Sequence, residues 1–115
     1  MKGNNIGEFE ELVLLTVASL IGDAYSVQIT DDLTSYTGRN IKLGMVHSVL
    51  NRLEEKGYLI SELGEPSGKR GGKRKRFYTP TDAGYSMIRE IKAMRDQIYN
   101  NIPAFVWDNK LSWNF

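Results

Sequence analysis

Apolar residues recur along this chain with two different periods, and the change of period divides it into elements. Phe9, Leu12, Val13, Leu15, Val17, Leu20 and Ile21 cover far more than one stripe, so residues 8–21 predict a helix buried on most of its faces. Val27, Ile29 and Leu33 mark a shorter amphipathic helix over residues 26–36, and Thr37-Gly38-Arg39-Asn40 follows as a turn with Gly38 as the break. Leu43, Val46, Leu50 and Leu53 stand at spacings of 3, 4 and 3, which places them on one face of a third helix. Gly57 stops that helix, with the cation Lys56 beside its end. The pattern then turns β-prone. Leu59 to Gly64 reads as a strand entering a loop, and Arg76-Phe77-Tyr78-Thr79 as the return strand; Pro80, which has no N–H for a ladder, ends it.

Thr81 is a good N-cap for a last helix, and Asp82 suits its positive first turn. Ile88, Ile91, Met94 (or Arg95), Ile98 and Ile102 continue at spacings near 3 and 4. A helix of ~20 residues is roughly 30 Å long, longer than a small core can cover. The stripe therefore needs either the first helix or a second copy of the chain. Pro103 closes it, and the tail 104–115 holds both tryptophans. So aromatic a tail is expected to fold back on its own domain or on a partner chain.

Charge sharpens this picture. The chain's formal net charge is only +1, yet residues 39–76 carry ten cations against four anions, while residues 1–38 carry one against six. Six of the cations fall in the eight residues Lys69-Arg70-Gly71-Gly72-Lys73-Arg74-Lys75-Arg76, at the tip of the expected hairpin. A basic run alone is as often a solvated loop as a contact surface. Here it follows helix, short turn and helix, the order of a winged helix-turn-helix. The third helix also turns a suitable face outward. Opposite its apolar seam lie Gly44, Met45, Ser48, Asn51, Arg52 and Glu55. Small residues let a helix sink into a groove, and Ser, Asn and Arg can read base edges. Arg52, further along, suits a phosphate. The residues expected to meet a nucleic acid are thus Arg39, Lys42, Gly44, Met45, His47, Ser48, Asn51, Arg52, Lys69, Arg70, Lys73, Arg74, Lys75 and Arg76.

Other chemistries find little support. There are no cysteines, so disulfides, thiolate metal sites and a Cys nucleophile are excluded. His47 is the only histidine, which rules out a multi-histidine metal site or a His pair. Asp31 and Asp32 are adjacent on a helix and point about 100° apart, so they do not face one substrate. Gly71-Gly72-Lys73 lacks the spacing and the following Ser or Thr of a phosphate-binding loop. The run Leu12 to Ile21 is shorter than the ~20 residues a membrane span needs, and no signal-peptide pattern precedes it. The expectations are no enzyme, no metal, no cofactor, no membrane and a cytoplasmic location.

Several runs together resemble the PadR-like family of bacterial transcriptional regulators. They are Gly7-Glu8-Phe9-Glu10-Glu11-Leu12-Val13-Leu14-Leu15, Asp23-Ala24-Tyr25-Ser26-Val27, Leu43-Gly44-Met45-Val46-His47, and Leu50-Asn51-Arg52-Leu53-Glu54-Glu55-Lys56-Gly57-Tyr58-Leu59. The hairpin through Arg76-Phe77-Tyr78 into Thr81-Asp82-Ala83-Gly84 completes the match over residues 7–84. The resemblance implies a homodimer joined through the C-terminal helix and bound to a palindromic operator on double-stranded DNA, usually as a repressor released by a small molecule. The third helix would enter the major groove, and the wing would lie along the backbone or minor groove. His47 departs from the family's usual tyrosine, which commonly touches the DNA backbone; an imidazole can do the same. The drug-sensing members carry an aromatic midway along the dimer helix. Here that stretch is Ala93-Met94-Arg95-Asp96, so their ligand site is not carried over. The single short C-terminal helix resembles the family's smaller subgroup.

The expected fold is α+β, mainly α: a winged helix-turn-helix with a long C-terminal dimerisation helix. Residues 1–80 would form the DNA-binding part and residues 81–115 the dimerisation helix and aromatic tail, in one compact unit. Ile88, Ile91, Ile98 and Ile102 are the expected dimer seam. The rival reading is a winged-helix protein-interaction module without DNA reading, which would have no need of six cations in its wing.

Overall fold

A computed structural model describes residues 6–65 and 74–108. Three helices come first: α1 (Glu8–Ser19), α2 (Ser26–Thr37) and α3 (Leu43–Glu55). A hairpin of β1 (Leu59–Leu63) and β2 (Arg76–Pro80) follows, then α4 (Asp82–Asn100) and the short α5 (Ala104–Asp108). The strands are antiparallel, in a register running from Leu59 opposite Pro80 to Leu63 opposite Arg76. Pro80 therefore occupies the last rung rather than lying beyond it.

Val13, Leu14 and Val17 of α1, Ile29 and Leu33 of α2, and Val46, Val49, Leu50 and Leu53 of α3 meet in one core, closed by Leu59, Tyr78, Met87 and Ile91. The seam of α3 keeps Val46, Leu50 and Leu53 of the expected set, gains Val49 and loses Leu43. The buried set is Val46, Val49, Leu50 and Leu53, whereas Leu43 is 41% exposed. The buried positions form an i, i+3, i+4, i+7 arc, and Leu43 stands in the first turn ahead of it. Val27 is likewise exposed, not buried. It lies about 200° round α2 from Ile29 and faces a surface groove. The first helix also shows more surface than its composition suggests. It stops at Ser19, leaving Ile21 exposed, and Leu15 projects between two open apolar grooves, one against α2 and one against α4.

Local chemistry sets the element ends. Gly38 ends α2 in the left-handed region at φ 68°. At the end of α3, Gly57 has φ 85°. Its N–H donates to the Glu54 carbonyl (3.0 Å), and the Tyr58 N–H reaches back to the Leu53 carbonyl (2.9 Å). This pair of bonds lets a helix stop on a glycine and turn into a strand. The start of α4 docks on the same turn. The Thr81 hydroxyl accepts the Gly84 N–H (3.0 Å) and donates to the Gly57 carbonyl (2.6 Å), while the Thr81 N–H donates to the Tyr58 carbonyl (3.0 Å). Two sequence runs separated by the wing, Lys56-Gly57-Tyr58 and Thr81-Asp82-Ala83-Gly84, are one joint in space.

Beyond that joint α4 divides. Gly84, Met87 and Ile91 are buried, but every residue from Lys92 to Asn100 is exposed. At 1.5 Å per residue its 19 residues span about 28 Å, and the half from Lys92 onward runs clear of the core. The chain then folds back as α5, and Trp107 stacks on Tyr99 with ring centroids 5.6 Å apart and planes 20° from parallel. The rest of the aromatic tail, 109–115, lies outside the described residues.

Candidate nucleic-acid interface

The outer face of α3 presents the expected set: Gly44, Met45, His47, Ser48, Asn51 and Arg52 are all exposed. Open space lies in front of Gly44, with no heavy atom within 4 Å of where a Cβ would stand. Lys42 sits just ahead of the helix, its carbonyl accepting the N–H groups of Met45 and Val46. A groove of about 530 Å³ separates this face from the base of the wing. It is lined by His47 and Asn51 of α3, by Arg74, Lys75 and Arg76 with Leu63 and Tyr78 of the hairpin, and by Tyr25, Ser26 and Val27 at the start of α2. Lys69, Arg70 and Lys73, the remaining wing cations, lie outside the described residues.

Two other candidates stand elsewhere. The Arg39 guanidinium forks onto the Glu8 carboxylate (3.3 and 3.1 Å). Arg39 holds the Glu8 carboxyl below its ordinary range, and Glu8 in turn raises the guanidinium. Both partners are well exposed, and such surface pairs contribute little, so Arg39 can leave Glu8 for a phosphate at small cost. Arg52 is held differently. Its Nε donates to Glu10 (3.2 Å), and the Lys56 ammonium bonds both Glu10 oxygens (3.0 and 3.1 Å). The Glu10 side chain is only 9% exposed. Burial pushes its carboxyl up, but the Gly7 N–H, Lys56 and Arg52 outweigh that and hold it below the ordinary value. Withdrawing Arg52 would cost a nearly buried carboxylate one of its donors. Arg52, expected from sequence to suit a phosphate, thus also ties α1 to α3, with its side chain still half exposed.

The three glutamates at the start of α1, which suit the helix dipole, therefore do more than that. Glu8 reaches the turn before α3, Glu10 reaches the end of α3, and Glu11 accepts from Arg95 of α4 (2.8 and 3.0 Å) across 84 residues of sequence. Arg95 is raised by the Glu11 carboxylate. The excess of anions in the first third of the chain was the only sequence sign of this. A second feature absent from the sequence reading is the grip on the wing base. Lys75 lies over the Tyr25 ring, 4.1 Å from its centroid, and Phe77 meets the same ring edge-on.

Of the expected seam, Ile91 belongs to the protomer's own core and Ile88 is half-buried against it. Ile98 is 62% exposed, and Ile102 lines an open groove with Arg95, Ile98 and Tyr99. Among the described residues no group of His, Asp and Glu could hold a metal ion, and no helix is long and apolar enough to cross a membrane.

Helix, turn, helix and a hairpin with a cationic base define a winged helix-turn-helix, and solved structures share the fold. A PadR-like transcription factor from Bacteroides fragilis superimposes with a TM-score of 0.67 at 20% identity, over 82% of this chain and 85% of its own. A PadR-like transcriptional regulator from Bacillus cereus gives 0.67 at 17% identity, over 93% of each chain. A PadR family transcriptional regulator from Eggerthella lenta gives 0.63 at 26% identity, over 93% of this chain and 88% of its own. No curated protein matches in sequence. Residues 14–90 match the transcriptional regulator PadR-like family as a whole. The chain belongs to that family: it is a DNA-binding regulator of transcription, not an enzyme.

Proposed function

We propose that this regulator is a repressor that binds a palindromic operator as a homodimer, with α3 reading base edges in the major groove and the wing neutralising the flanking backbone. The observation that carries this reading is the groove. It brings His47 and Asn51 of α3 opposite Arg74, Lys75 and Arg76 of the wing, so one concave surface offers base-reading groups and phosphate-neutralising cations together. Gly44 and Ser48 leave the same helix face low enough to enter DNA. The homodimer rests on apolar surface that one protomer leaves open. Leu15 on α1, and Met94, Ile98 and Tyr99 on α4, are 40% exposed or more, and a two-fold pairing would cover them. Release by a small molecule remains part of the proposal through the family alone.

The test is binding to a random-sequence duplex and to an operator obtained by selection from randomised duplexes, each across a range of salt. Every phosphate neutralised by Lys or Arg adds roughly −0.9 to the slope of log K against log salt. Changing Lys73, Arg74 and Lys75 together to Ala should flatten that slope and weaken both duplexes about equally. Ser48→Ala and Asn51→Ala should instead reduce the preference for operator, since a paired hydrogen bond to a base edge discriminates by roughly 1–3 kcal/mol. If the wing variant keeps its slope, or the α3 variants weaken both duplexes by the same factor, the assignment of roles is wrong.

A further inference from the structure

Tyr25 occupies the N-cap position of α2 with extended backbone (φ −115°, ψ 162°), and its side chain caps nothing. The ring is turned toward the hairpin. Lys75 and Phe77, two apart on β2 and its approach, lie on the same side of the strand and grip the ring from two directions. The Lys75 ammonium stands 4.1 Å above its face, and the Phe77 ring meets it at 75° with centroids 5.6 Å apart. Each contact suits an aromatic quadrupole, negative on the face and positive at the edge. Phe77 is held from behind as well. A Cβ on Gly64 would stand 2.5 Å from its ring, so glycine is what lets the ring sit there.

The backbone shows why this grip matters. The Tyr78 N–H donates to the Ala24 carbonyl (2.9 Å), tying β2 to the segment before α2. Toward the tip, the ladder runs one rung past the strands, through the Gly64 N–H to the Lys75 carbonyl (2.7 Å). A two-stranded hairpin is marginal by itself, and here it is anchored to the body at Tyr78. Arg74, Lys75 and Arg76 lie beyond that anchor, where a change of angle moves them relative to His47 and Asn51 across the groove.

Resting on the DNA-binding reading above, we propose that Tyr25 is a positioning residue for the wing: its ring sets the angle at which the hairpin leaves the body, and so whether the wing cations reach the backbone while α3 sits in the groove. Without the ring the hairpin pivots about the Tyr78–Ala24 bond. Its cations must then be ordered at the moment of binding, at an entropic cost that weakens the contacts.

The experiment compares Tyr25→Leu, which removes the ring, with Tyr25→Phe, which keeps it, and with Phe77→Leu, which removes the edge partner. Each is measured below its own melting transition on a random-sequence duplex across salt. In parallel, hydrogen exchange is followed at the Gly64 and Tyr78 amides without DNA. Tyr25→Leu and Phe77→Leu should flatten the salt slope by roughly one to two, at about 0.9 per lost contact. They should also speed exchange at Gly64 more than at Tyr78, while Tyr25→Phe behaves as wild type in both. Phe77→Leu carries the test if Tyr25→Leu does not fold. Wild-type slope and wild-type Gly64 exchange in the leucine variants would overturn the proposal. So would a Tyr25→Phe variant as impaired as Tyr25→Leu, which would make the hydroxyl a direct DNA contact. Wild-type protein that fails to bind duplex, with the exchange effect present, would overturn the DNA-binding reading and leave Tyr25 no DNA to position the wing for.

Discussion

Gly84 stands in the first turn of α4, where alanine would ordinarily be the better helix former by about 0.8–1.0 kcal/mol. The structure reverses the expected sign. A Cβ at this position would lie 2.2 Å from the Tyr58 carbonyl oxygen, 3.2 Å from its carbon and 3.3 Å from the Pro80 Cβ. The first of these is about 1 Å inside ordinary contact. The oxygen has nowhere to retreat: it accepts the Thr81 N–H, and the Tyr58 N–H is itself bonded to Leu53 at the end of α3. Overpacking of this kind typically costs about 1–3 kcal/mol. Because the clash is with fixed backbone, the cost belongs at the upper end, about 2–3 kcal/mol; less the helix propensity gained, Gly84→Ala should destabilise by about 1–2 kcal/mol, or several degrees of melting temperature for a chain of this size. Gly44→Ala is the matched control. It makes the same chemical change in a helix, but with nothing within 4 Å, and should stabilise by up to ~1 kcal/mol. Thermal unfolding of both variants and wild type, at one protomer concentration because assembly shifts the midpoint, checks the pair. A Gly84→Ala protein melting at or above wild type would refute the close approach of α4 to the α3–β1 turn.

Ile98→Glu should abolish the proposed dimer in sedimentation while leaving the chain folded, because Ile98 is 62% exposed; Ile91→Glu should unfold the chain itself, since a charge there is buried without a partner. The Glu10 carboxyl titrates lower in the folded chain than its ordinary 4.5, so its contribution to stability is complete above that value and drains away as pH falls through the lowered one. Urea unfolding of Glu10→Gln should show lower stability than wild type at neutral pH, with the gap narrowing under acid; a constant gap would mean that charge at Glu10 plays no part. Arg95→Met should lower the melting temperature, because it takes the guanidinium from a Glu11 carboxylate that is only 13% exposed, and an unchanged melting temperature would show that the pair does not hold α4 in place.

How far the sequence went follows from the range of the forces involved. The order of elements and their ends were legible because each is decided by neighbours: a 3.6-residue apolar repeat in α3, Gly38 and Gly57 free to take positive φ, Thr81 capping its own helix. The crowding of cations between helix and return strand is equally local, and with the helix, turn and helix before it, it pointed to a nucleic acid. The composition of α1 could not tell a buried helix from one with an open flank, since Leu15 looks the same in either setting. Nor could a stripe on α4 announce where the core would run out. Ile91 and Ile98 have the same side chain and lie on the same face two turns apart, and only the reach of α1 and the hairpin puts one inside and the other out. Pairing is the clearest case. Glu10 with Arg52, Glu11 with Arg95 and Tyr25 with Lys75 are each separated by tens of residues. Any carboxylate at the start of α1 satisfies the helix dipole equally well. Which cation it meets depends on where three other elements pack, and that is settled by burial of the shared core rather than by any residue's neighbours along the chain.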